Sequence, residues 1–323
     1  MSDYYNHVTF TKESLAPSPF HLNEDWIVRI ENHNRNCTHA EIDSLILSTA
    51  INDTDLHIIK LLAVYPYINT YNITFFLNHS LPEPYRKKDY QRNLRKLVHA
   101  GILLKHALYQ GNPGADPDEY TSSPVSPLRF YSLSPGAYSY ISPIVDTPHC
   151  RTEAIPDYRV IEDLAISQLL LHFHVTNGEH FKKHLMDIKK KIGKHTLTID
   201  SYVHYSSSAV KPGTSVHIFI FCCRSHKDSH SDLIHRLVLF FHWMSRHKDQ
   251  YPEYMILILT ETLKDIPLIA HDIFTQTKRE TAYPLYYTLD TNLLSYPLLD
   301  SLYQYVEDPE AGKYIIQRIS VRL

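Results

Sequence analysis

The chain has 323 residues, 43% of them hydrophobic and 21% charged, which is enough apolar material for two globular domains of roughly 150 residues each and excludes collagen-like and disordered classes. Glycine occurs only 8 times, well below the ~7% usual in globular chains, so folds built on glycine-rich phosphate loops start at a disadvantage. Thirty-two basic residues against 35 acidic ones leave a net charge of −3, so any role with nucleic acid has to come from a local patch rather than from a global field.

The cysteines Cys37, Cys150, Cys222 and Cys223 are too few and too irregularly spaced for a disulfide framework, which points to a reducing compartment. The polar N-terminal stretch MSDYYNHVTFTKES lacks the apolar core of a leader, and no apolar run approaches the ~18 residues that cross a bilayer. The expectation is a cytoplasmic protein that does not enter the membrane, with no cofactor implied.

Residues 1–50 read as an N-terminal arm with a short helix over Glu41 to Ala50. From Thr54 the apolar residues Leu56, Ile59, Leu62 and Ala63 recur at helical spacing, with Asp53 or Thr54 placed to cap. Pro66 stops that helix. Asn69 or Thr70 can cap the next, which carries Ile73, Phe76 and Leu77 on one face. A third helix is predicted from about Tyr85 to Ala100, with Leu94, Leu97 and Val98 inward and Gly101 as its left-handed cap. Strands over Ile102 to Tyr109 and Leu128 to Leu133 follow, with Gln110 to Pro127 between them, and then a short helix. This is the element order of a winged helix-turn-helix unit, expected over residues 51–145.

The third helix is where chemistry concentrates. From Arg86 to Lys105 there are seven basic residues, Arg86, Lys87, Lys88, Arg92, Arg95, Lys96 and Lys105, against Asp89 alone, a local excess of six. A helix of this kind suits the major groove, where Arg reads guanine, Asn or Gln reads adenine, and Lys neutralises phosphates. The residues expected to bind DNA are Arg86, Lys87, Lys88, Gln91, Arg92, Asn93, Arg95 and Lys96. The intervening segment carries Asp116, Asp118 and Glu119 and no basic residue before Arg129, so it does not suit phosphate along its whole length.

The serine- and proline-bearing stretch from Ser134 through Pro156 marks a boundary. An α/β domain is expected over 155–323. Its predicted elements are a helix over Tyr158 to His172, a basic helix over Gly178 to Ile192, and strands over Thr196 to Tyr205 and Ser215 to Cys223. There follow a helix over Asp232 to Arg246, a strand over Tyr254 to Leu259, a helix over Ile266 to Phe274, a strand over Pro284 to Leu289 and a last helix over Leu298 to Tyr305. The basic run Lys182, Lys183, Lys189, Lys190, Lys191 and Lys194 reads either as the solvated face of an amphipathic helix or as a phosphate contact. The tyrosines Tyr286, Tyr287, Tyr303 and Tyr305 fit either an ordinary core or the self-association of a homodimer.

The stretch RNLRKLVHAGILLKHALY, residues 92–109, followed by LRFYSLSPGAYSYI, residues 128–141, resembles the winged-helix segment of the replication-relaxation family of plasmid and mobile-element proteins. Members of that family commonly carry a second domain resembling the PD-(D/E)XK nuclease fold, in which carboxylates on neighbouring strands hold Mg²⁺ and a lysine positions water. The resemblance implies an α+β chain with an N-terminal winged helix and a nuclease-like second domain. It sets Asp200 at the position of the metal-binding Asp and Gln168 at that of the accessory polar residue. The next strand, Phe219 to Cys223, offers no second carboxylate, so the scaffold is read as degenerate, with no catalytic and no metal-binding residues assigned.

Histidine is abundant, with 22 copies, but the pairs His172 and His174, and His235 and His242, follow no metal-ligand spacing. Cys222 and Cys223 have no CxxC partner and read as core. The function expected is therefore double-stranded DNA binding by a transcription regulator or by a plasmid or mobile-element replication or transfer factor. The alternatives are a Mg²⁺-dependent nuclease or nickase, or an adaptor whose winged helix binds protein.

Overall fold

The computed structural model describes residues 6–7, 20, 26–31, 36–80, 90–110, 128–149, 155–178, 180–207, 214–224, 227–277, 284–293, 296–308 and 313–321. They form a mixed α/β protein that divides into two compact units, one of Leu22–Leu171 and one of Met1–His21 with His172–Leu323. Among the described residues no helix is long and apolar enough to cross a membrane. The first strand, β1 (Asn6–His7), belongs to the second unit.

The Leu22–Leu171 unit contains β2 (Trp26–Ile30), α1 (His39–Leu47), α2 (Asp53–Val64), β3 (Ile68–Asn69), α3 (Thr70–Ser80), α4 (Gln91–His99), β4 (Leu103–Gln110), β5 (Leu128–Leu133), α5 (Pro135–Ile141) and most of α6 (Asp157–Asn177). Its strands make an antiparallel sheet in the order β2-β4-β5-β3. The buried side chains Ile58, Leu62, Ile68, Ile73, Leu77, Leu94, Leu97, Phe130 and Ile141 come from the helices and the sheet alike. Val98, expected to point inward, is only half-buried.

Helix starts follow local chemistry. The cap of α2 is Asn52, one residue before Asp53 and two before Thr54, the caps that spacing suggested: its side chain accepts the Asp55 N–H at 3.1 Å, and Asp55 accepts the Asn52 N–H at 2.9 Å. This reciprocal box satisfies two amides that the helix itself leaves open. Asn69 accepts the Asn72 N–H at 2.8 Å and so starts α3. At the N-terminus of α5 the backbone of Gly136 approaches Cys37 so closely that a Cβ would stand 1.9 Å from the Cys37 carbonyl oxygen.

In the second unit lie β6 (Phe181–Ile192), β7 (His195–Ser207), β8 (Thr214–Cys222), α7 (Lys227–Met244), β9 (Tyr254–Thr260), α8 (Asp265–Thr277), β10 (Leu285–Leu289), α9 (Asp290–Leu293), β11 (Leu302–Asp308) and β12 (Lys313–Ile319). The eight strands run β1-β12-β11-β10-β9-β8-β7-β6. β6, β7 and β8 form an antiparallel meander, β8, β9 and β10 are parallel, and the remaining pairs are antiparallel. Helices α7 and α8 are the two crossovers that parallel neighbours require. Leu233, Leu237, Phe240, Ile266, Ile269 and Ile273 from them bury with Phe219, Phe221, Ile256 and Ile258 of the sheet in one apolar core.

Two predicted helices are strands. The basic segment read as a helix over Gly178 to Ile192 is β6, and Leu298 to Tyr305 is a single 3-10 turn, Leu298–Asp300, followed by β11. In both, hydrogen bonding to a neighbouring strand overrides local spacing. Tyr287 and Tyr303 are buried, so those two of the four aromatic candidates are core.

Candidate nucleic-acid interface

Helix α4 is fixed by its buried face and by its C-terminal turn. Leu94 and Leu97 are buried, and the helix closes in a Schellman turn: Gly101 takes φ +73°, its N–H meets the Val98 carbonyl at 3.1 Å, and the Ile102 N–H meets that of Leu97 at 3.0 Å. A side chain at position 101 would be strained at that φ, which is why glycine stands there.

The expected DNA-binding residues fall into three groups. Arg86, Lys87 and Lys88 lie outside the described residues. Asn93 and Lys96 turn toward the start of α2. Asn93 donates to the Asp55 carboxylate at 2.7 Å, Lys96 forms an ion pair with the same carboxylate, and Lys96 also donates to the Ala50 carbonyl at 2.9 Å. Asp55, buried and already half of the α2 capping box, thus ties α4 to α2. Gln91, Arg92 and Arg95 remain exposed. Arg92, Arg95 and the exposed His99 stand at i, i+3 and i+7, so they share one face of the helix.

That face borders a concave surface. A cleft of about 530 Å³ is lined by Thr70 at the start of α3, by Gln91, Arg95 and His99 of α4, and by Lys105, Arg129 and Tyr131 of the β4–β5 pair. Glu31, just after β2, sits 2.5 Å from Lys105 and 3.4 Å from Arg129, so one carboxylate is shared between two cations. Arg95 adds a further cation to the same cleft. A second recess of about 510 Å³ is lined by Asn52, Arg92, Asn93 and Lys96. The segment between β4 and β5, residues 111–127, lies outside the described residues.

In open α/β sheets, ligands gather beyond the carboxyl ends of the parallel strands. Here that place holds charged side chains that sequence reading did not connect. Arg224 follows β8, Glu261 follows β9 and Asp290 follows β10. Arg224 is fully buried and binds Asp290 through two nitrogens at 2.5 and 3.2 Å, with Glu261 at 4.0 Å. Burial works against the guanidinium charge, but Asp290 and Glu261 outweigh it and hold the group protonated. The signal was in the chain: in each case a charge directly follows a run of buried strand residues.

Asp200 in β7 is also committed. It accepts the Cys222 N–H at 2.8 Å and pairs with Arg236 of α7 at 2.5 Å, while Arg236 also meets Asp232 at 2.8 Å. Gln168 in α6 is buried and accepts from Asn72 at 3.2 Å. Cys222 and Cys223 are buried and form no disulfide. The described residues hold no group of three or more His, Cys, Asp or Glu side chains placed to hold a metal ion.

Comparison of the chain and its fold with known proteins returned no matching family model, curated protein or solved structure.

Proposed function

We propose that this is a duplex-DNA-binding protein that reads DNA with the exposed face of α4. The observation that carries the reading is the arrangement around that helix. The order α2-β3-α3-α4-β4-β5, with β3 and β4 both hydrogen-bonded to β5, is the connectivity expected of a winged helix. It leaves Arg92, Arg95 and His99 outward on its third helix, with Arg95 and His99 in one cleft with Lys105 and Arg129. Arginine on such a helix supplies bidentate contacts to guanine, and the flanking cations neutralise phosphate. The work of such a protein is transcription regulation, or replication or transfer of a plasmid or mobile element, in the cytoplasm and without catalysis of its own.

The second unit supports a scaffold role. Its run β6-β7-β8-α7-β9, which follows α6 in the chain, agrees with the strands, helix and further strand of the nuclease-like core that the sequence resemblance implies. The carboxylate at the metal-binding position, Asp200, is held by the Arg236 guanidinium and a backbone N–H.

Fluorescence anisotropy with duplexes over a salt series tests the reading. The full chain should bind with an affinity that falls steeply with salt. Arg92→Ala and Arg95→Ala should lower specific affinity by about 1–3 kcal/mol each and relax sequence preference. Unchanged isotherms for both variants would refute the role of α4. Cutting of plasmid DNA with Mg²⁺ or Mn²⁺ that Asp200→Ala abolishes would replace the scaffold reading with a nuclease.

A further inference from the structure

The six lysines that sequence spacing assigned to a helix lie instead on a β-hairpin. β6 carries Lys182, Lys183, Lys189, Lys190 and Lys191 at the open edge of the eight-stranded sheet, and the turn to β7 is Gly193 and Lys194. Ile192 faces His195 across the turn, Lys191 faces Thr196, and Lys189 faces Thr198. Lys189, Lys190, Lys191, Lys194, His195 and Thr196 are all exposed. Successive strand residues point to opposite faces, so exposure of three in a row means that both faces of the tip are open. Gly193 takes φ +59°, and a Cβ built on it would meet nothing within 4 Å.

The charge at this tip is one-sided. Along β6 and β7 the carboxylates are Asp187, 3.5 Å from Lys189, and Asp200, held by Arg236. Lysine on an edge strand also guards against pairing with another chain. That explanation fits Lys182 and Lys183 along the edge. It does not fit Lys194, which sits in the turn where there is no ladder left to guard, nor a cluster confined to the last turn-proximal residues. A two-stranded ribbon is narrow enough to enter the major groove, about 12 Å wide, and the six residues from Lys189 to Lys194 cover a comparable span.

We propose that the β6–β7 tip is a second polyanion contact, binding the phosphate backbone of duplex DNA independently of base sequence. This rests on the DNA-binding reading of α4. The chemistry selects phosphate over bases: the tip, KKKIGKHT over residues 189–196, offers ammonium point charges and no Arg, Asn or Gln for bidentate base contacts.

The test is the salt dependence of duplex binding by the full chain. Replacing Lys189, Lys190, Lys191 and Lys194 with Ala together should reduce the slope of log affinity against log salt by about 3–4 units, with relative affinities among sequences unchanged. The four-Arg version should retain the slope, and Lys264→Ala, an exposed lysine in the turn between β9 and α8, should leave it alone. Because these side chains are exposed, thermal melts should match those of the parent. A four-Ala variant that keeps the parental slope, whether or not it self-associates, overturns the proposal while α4 stands. A chain that shows no salt-dependent duplex binding at all overturns both. Loss of sequence preference in the four-Ala variant also overturns it, since the tip would then be reading bases.

Discussion

Asp55 is the residue whose removal tells most about α4. Its buried carboxylate closes the α2 capping box, accepts from Asn93 at 2.7 Å and pairs with Lys96. Losing half of a capping box costs about 1 kcal/mol, and losing the Asn93 hydrogen bond costs about 1 kcal/mol more. The Lys96 side chain is 38% exposed, so it can return to water, and its share stays at or below ~1 kcal/mol. Asp55→Ala should therefore destabilise the protein by about 2–3 kcal/mol in urea titrations followed by circular dichroism. Lys96→Ala should cost about 1–2 kcal/mol, and a double-mutant cycle between the two should show coupling near 1 kcal/mol. At temperatures where both variants stay folded, Lys96→Ala should leave the salt slope of DNA binding intact, whereas Arg95→Ala should lower it without moving the urea midpoint. If instead Asp55→Ala titrates within ~0.5 kcal/mol of the parent and Lys96→Ala removes a full unit of salt slope, Lys96 is a phosphate contact and the anchoring argument is wrong.

The buried pair at the carboxyl ends of the strands should behave as an all-or-nothing unit. Asp290→Asn leaves the buried Arg224 with only the more distant Glu261 and should cost about 3–5 kcal/mol, whereas Arg224→Met with Asp290→Leu and Glu261→Gln, which removes every charge of the group, should recover most of that loss; equal urea midpoints for the single and triple variants would contradict the assignment. His184 sets an acid limit on the second unit. Burial first, and then neighbouring His174, push its imidazole down to about 4 from the ordinary 6.5. A depressed histidine pKa means that the unfolded chain binds the extra proton, so stability is full above pH ~6.5 and falls by up to about 3 kcal/mol as the pH drops toward 4. His184→Gln, which cannot titrate, should flatten that decline in thermal melts run between those two pH values, and an unchanged decline would place the acid sensitivity elsewhere.

What could be read in the chain depended on whether a residue's partner was near it in sequence. The end of α4 was legible because Leu94, Leu97 and Gly101 determine one another within a few residues. The division of α4 into an outward stripe and an anchoring pair was not, because Asn93 and Lys96 take their meaning from Asp55, which lies 38 residues from Asn93 and 41 from Lys96. The same limit produced the largest misreading, β6. Leu185, Ile188 and Ile192 are spaced three and four apart, which is helical by period. In the sheet that spacing has another cause. Asp187 adopts φ +49°, and there the alternation slips: on the partner strand the residues that pack on the α7–α8 side are Leu197, Ile199 and Tyr202, two apart and then three. Leu185 pairs with Tyr202 and Ile188 with Ile199, so the slip runs through both strands. Lys190 then takes the place between Ile188 and Ile192 where an apolar residue would have restored a visible period of two. The substitution that hid the strand is thus one of the lysines that make the hairpin tip basic, and a local sequence rule broken without a packing reason is where a binding role is to be sought.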